Sequence, residues 1–171
     1  MNKKLLLIAS AAIVSANIYS FSGVAVAATD TATVNVVQAL TITNATTALN
    51  FGDIVSTLAA ETVIIEPNGT NTSGSITPTG APAAAAFTVT GEDLKSYAVT
   101  VPVSVTLTGP GSPASDMTVD TFTYDAGNGV GADGTAASAG GTLNVGATLN
   151  VNASQPSGTF TGLYNVTVDY N

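Results

Sequence analysis

Residues 159–170 read Thr159-Phe160-Thr161-Gly162-Leu163-Tyr164-Asn165-Val166-Thr167-Val168-Asp169-Tyr170. Side chains alternate across an extended chain, so Phe160, Tyr164, Val166, Val168 and Tyr170 share one face, with Gly162 in the same register. Working outward, the same period of two recurs in Leu143–Val151, Met117–Tyr124, Val103–Thr108, Ser96–Val101 and Ala85–Thr90. Towards the N-terminus it recurs in Glu61–Ile65, Leu49–Ile54 and Ala32–Thr43. Gly, Pro, Asn and Asp break these runs, which is the punctuation of strands and turns. Gly91 to Lys95, between Ala85–Thr90 and Ser96–Val101, predicts a hairpin. A Gly-rich loop is predicted from the end of the 117–124 segment to Gly141. About eight short strands with no helical interlude predict an all-β fold, an antiparallel, immunoglobulin-like β-sandwich.

The N-terminus has the pattern of an export signal. Lys3 and Lys4 precede the apolar run Leu5–Val14, and Ala25-Val26-Ala27 supplies small residues for cleavage. The run is shorter than the roughly 20 residues of a spanning helix. Residues 1–27 are therefore expected to be a signal peptide, helical in isolation, and residues 28–171 a single exported domain. Lys95 is then the only basic residue beside 11 acidic ones. That balance repels phosphate backbones and anionic lipid heads, and so argues against nucleic acid and against direct membrane anchoring.

The residue inventory also narrows the chemistry. The chain has no His and no Cys. Ser-His-Asp and Cys-His catalysis are excluded, as are zinc sites built on nitrogen or sulfur ligands. The carboxylates Glu92 and Asp93 lie together in a predicted turn, and Glu61 and Glu66 flank an apolar strand, positions expected to be solvated surface. No catalytic residue, metal ligand or cofactor is assigned. Asp125–Asp133 has the oxygen-rich, glycine-rich composition of a calcium loop but not the EF-hand spacing, and is expected to be an ordinary loop. Without disulfides, stability must come from the core or from a partner.

Near the N-terminus of the exported domain, Ala32, Val34, Val36, Leu40 and Ile42 share one face. Two apolar strand sequences at the two ends each need an edge to cover them. The first can close its own sandwich, or it can be lent to another subunit by β-strand addition. Burying five such side chains is worth roughly 5–12 kcal/mol. Whole-domain stability is about 5–15 kcal/mol, so a domain lacking that strand would be marginal alone.

These ends resemble pilin subunits of the chaperone–usher pathway. Tyr170 stands where those subunits carry a penultimate aromatic, and Gly158 where they carry a Gly fourteen positions from the end. Leu49-Asn50-Phe51-Gly52 is similar to a motif of the archaic, spore-coat-U-like branch. The chain also resembles a family of bacterial secreted domains, domain of unknown function four-four-zero-two. That likeness rests on Thr31–Val36, Leu49–Gly52, Phe87–Gly91 and Gly146–Val151, and spans roughly residues 30–171. The pilin resemblance implies a fibre subunit, cell adhesion, and a periplasmic chaperone and outer-membrane usher as partners. It also implies homo-oligomers or related subunits joined by strand exchange at the cell surface. Ala32 to Ile42 would be the donor and Gly158 to Tyr170 the edge that receives it. Residues 30–37 could donate while Ala39–Thr43 stay home, or the whole stretch could stay. The alternative function is a self-complete secreted sandwich that binds carbohydrate or protein through its loops, Asp125–Gly141 among them.

Overall fold

Val, Thr, Ile and Tyr stiffen or broaden the side chain near the backbone and favour the pleated surface of a sheet, and they dominate this chain's strands. A computed structural model describes residues 27–92, 95–126, 137–138 and 141–171. Its strands are β1 (Thr41–Thr47), β2 (Glu61–Ile65), β3 (Ala85–Thr90), β4 (Ser96–Thr100), β5 (Ser104–Leu107), β6 (Met117–Asp125), β7 (Ala137–Ser138), β8 (Gly141–Val151) and β9 (Thr167–Tyr170). No helix occurs among the described residues, and the paired strands are antiparallel. The expected all-β class is the one observed.

The chain divides into two units, residues 1–35 and 36–171. In the first, residues 27–35 are exposed and in no strand, and the Thr31 N–H donates to Asp30 Oδ1 at 2.8 Å. The proposed signal peptide, up to residue 26, lies outside the described residues.

In the second unit the long strand β8 organises a six-stranded sheet, ordered β1-β3-β8-β6-β5, with β2 also on β8. β3 and β2 share one edge of β8: Ala85 sits opposite Val145 and Ile65 opposite Ala147. β6 takes the other edge. Leu143, Val145, Ala147, Leu149 and Val151 alternate inward and are all buried. A three-stranded sheet, β7-β4-β9, completes the unit. One core cluster gathers Val63, Ile65, Val119 and Leu149, and the other Val89, Tyr97, Leu143 and Val145.

Four expectations change. Of the predicted strand Thr159–Tyr170 only Thr167–Tyr170 joins a ladder, and Leu49–Ile54 forms isolated bridges in place of a strand. The predicted hairpin is absent, because β3 has both edges taken by β1 and β8 and β4 pairs with β7 and β9 in the other sheet. β3 and β4 therefore belong to different sheets. The predicted first strand is also shorter at its start. β1 begins at Thr41, opposite Thr90, because its partner β3 ends there.

Tyr97 is 1 % exposed, and its hydroxyl has no hydrogen-bond partner among the described residues. An orphaned buried hydroxyl keeps its desolvation cost, so Tyr97→Phe is expected to stabilise the domain by about 1 kcal/mol. Burial also raises the phenol above its ordinary 10.0. The unfolded chain then releases its proton first as pH climbs past that value, so stability present below pH 10 is lost above it. Urea titrations at pH 8 and pH 11 check both points: the variant should gain at pH 8 and show a smaller loss at pH 11.

Candidate functional site

A groove of about 590 Å³, with an apolar floor and mixed polar rims, opens beside the C-terminal segment. Its floor is built by inward alternation on three adjacent strands: Val105 and Leu107 from β5, Met117 and Val119 from β6, Leu149 and Val151 from β8. One rim is Leu49 to Ile54, and the other is Gln155 to Tyr164.

The first rim is held by its own sequence. The Asn50 Oδ1 accepts the Gly52 N–H at 2.9 Å, and the Asn50 side-chain amide donates to the Ala81 carbonyl at 3.2 Å. This local turn fixes the chain while Phe51 is buried into the core. Two isolated bridges, Asn50 with Ala83 and Asp53 with Thr79, bind the rim to the chain behind it. The Leu49-Asn50-Phe51-Gly52 motif is thus the structural support of a groove wall.

The second rim is tied at Thr161, which exchanges backbone hydrogen bonds of 2.9 and 3.0 Å with Thr108, and at Gln155, whose side-chain amide donates to the Ser115 carbonyl at 2.5 Å. Gly158 has φ +147°, and a side chain there would press on Pro110, whose Cδ would lie 2.9 Å from the added carbon. Tyr164 crosses the groove: its ring lies 5.5 Å from that of Phe122, and its hydroxyl makes a backbone hydrogen bond with Leu49. Burial raises its phenol above the ordinary value, and the bond with Leu49 opposes that. Neither rim belongs to a strand ladder.

The sequence-predicted residues fall into distinct places. Gly158, Phe160 and Tyr164 line the groove. Val166, Val168 and Tyr170 pack on the second core cluster, the last two from β9, which pairs with β4 alone. Among the N-terminal candidates, Leu40 and Ile42 pack on that same cluster. Ala32, Val34 and Val36 are exposed, Val34 at 85 % and Val36 at 83 %. Of the loop Asp125–Gly141, residues 127–136 and 139–140 lie outside the described residues. The groove floor was not singled out as a site from the sequence. Its residues read as ordinary core, and only their cross-strand register makes them neighbours.

Residues 40–170 match the model of a domain of unknown function, DUF4402, and the chain belongs to that family. The match begins at Leu40, so the Thr31–Val36 stretch on which the resemblance partly rested lies upstream of it. No curated protein and no solved structure matches the chain.

Proposed function

We propose that this protein is a non-enzymatic structural subunit of an extracellular fibre, assembled by β-strand donation. Ala32, Val34 and Val36 of one copy would lie over the groove of another, between Leu49–Ile54 and Gly158–Tyr164. The observation that carries this reading is a groove with an apolar floor whose two rims are in no ladder. An added strand would find backbone groups at its margins and an apolar floor for alternate side chains. The exposed Val34 and Val36 supply side chains of that kind, and they precede the residues of the family match. Export would carry the chain to the periplasm, where a chaperone strand would cover the groove until an usher passes the subunit to the cell surface. Adhesion follows from the pilin resemblance.

Deletion of Ala28–Val37 tests the reading. The shortened domain is expected to stay monomeric and to bind one equivalent of a synthetic peptide of residues 28–37. Its thermal midpoint should rise as peptide is added, since anything that binds only the folded state stabilises it. A shortened domain that neither changes its oligomeric state nor binds the peptide refutes strand donation.

A further inference from the structure

Gln38 marks the point where an exposed apolar stretch gives way to one packed at home. Its backbone is held in a closed ring of three hydrogen bonds. The Gln38 N–H donates to Glu92 Oε2 at 2.9 Å, the Glu92 N–H donates to the Tyr170 hydroxyl at 2.6 Å, and that hydroxyl donates to the Gln38 carbonyl at 2.9 Å. The three residues are far apart in sequence, and the phenol serves as donor and acceptor at once.

The ring stands where a strand ladder runs out. Carried three residues further, the register that pairs Thr41 with Thr90 would set Gln38 opposite residue 93, past the end of β3. There a carboxylate and a phenol take up the peptide groups that a neighbouring strand would otherwise bind. Both polar groups of the Gln38 peptide are engaged, so this peptide is closed to an incoming or outgoing strand.

We infer that Glu92 and Tyr170 are positioning residues that stop the lent stretch at Val37 and fix the root from which it leaves. This rests on the strand-donation reading. A stop is needed because, after the single polar Gln38, Leu40 and Ile42 resume the apolar face of Ala32, Val34 and Val36. Register between strands is set by which residues face the core, and a slip of two residues preserves that facing. A donor free to slide could therefore draw Leu40 into a neighbour's groove and strip it from its own core. The ring prevents the slide, and a fixed root also lowers the ordering cost of each donation.

Tyr170→Phe removes the hydroxyl and keeps the ring that packs on the core, while Glu92→Ala removes the other partner independently. Hydrogen exchange in the exported chain reads the clamp directly. Either variant is expected to speed exchange at the Gln38 amide roughly tenfold, the effect of losing about one to two hydrogen bonds, with the Leu149 amide unchanged. Mixed with the Ala28–Val37 deletion variant as acceptor, each should donate several-fold more slowly than the unmodified chain. Unchanged exchange at Gln38 in both variants overturns the clamp. Faster exchange with an unchanged donation rate overturns its positioning role and leaves donation itself standing. If the unmodified chain donates to no acceptor, the fibre reading fails and with it the positioning role, whatever the exchange shows.

Discussion

Gly146→Ala is expected to lower the stability of the domain by about 3 kcal/mol, near the upper end for overpacking a well-filled site. β8 presents alternate residues to the core, and Gly146 belongs to the opposite set, yet it is buried. The cause is the chain leaving β2. Where β2 ends, opposite Ala147, and β3 begins, opposite Val145, the Glu66-Pro67 turn crosses over Gly146. A side-chain carbon there would collide with the Ile65 carbonyl oxygen and lie 2.7 Å from the Glu66 carbonyl carbon and 2.8 Å from the Pro67 nitrogen. All three are backbone atoms, so no side chain can swing aside and the strand itself must move. Urea unfolding of Gly146→Ala beside Gly74→Ala checks this. Nothing lies within 4 Å of a carbon added at Gly74, and that variant should stay within about 0.5 kcal/mol of the parent. Equal midpoints for the two variants would mean that the β2 turn gives way freely.

The case of Gly146 shows what was legible in the sequence. The stretch Leu143–Val151 alternates so regularly that its strand and its inward residues follow from period alone, and β2 and β3 were read with the bounds they have. That two strands divide one edge of β8 was not legible, because register between distant segments leaves no mark in a local pattern. The expected hairpin failed for the same reason: Gly91–Lys95 has turn residues, but both edges of β3 were already claimed. The site was half legible. Gly158, Phe160 and Tyr164 carry their alternation openly. The floor residues Val105, Met117 and Leu149 come together only through the β5-β6-β8 register. The ring on Gln38 depends on three backbone groups, one carboxylate and one phenol, and composition says nothing of such a closure.

The second large effect follows from the proposed strand donation. Replacing Val34 and Val36 together by Asp is expected to abolish assembly while leaving the domain as stable as before. Both side chains are exposed in the subunit, so the substitutions remove no packing there. Full burial of a Val is worth about 1.5–3 kcal/mol, and two are lost on the way into a neighbour's groove. Carrying a carboxylate over an apolar floor without a partner adds several kcal/mol more for each. The floor residues Val105, Leu107, Met117, Val119, Leu149 and Val151 carry no charge to receive it. The sum exceeds about 5 kcal/mol, a factor of more than a thousand in the exchange equilibrium. Sedimentation of residues 28–171 at high concentration reads the result, with Val34→Ile and Val36→Ile as the pair that keeps the apolar surface. On the strand-donation reading the parent and the Ile variant should both form multimers, and the Asp variant should sediment as a single species with an unchanged thermal midpoint. Multimers that persist in the Asp variant would show that the stretch before Gln38 is not the strand that passes between copies.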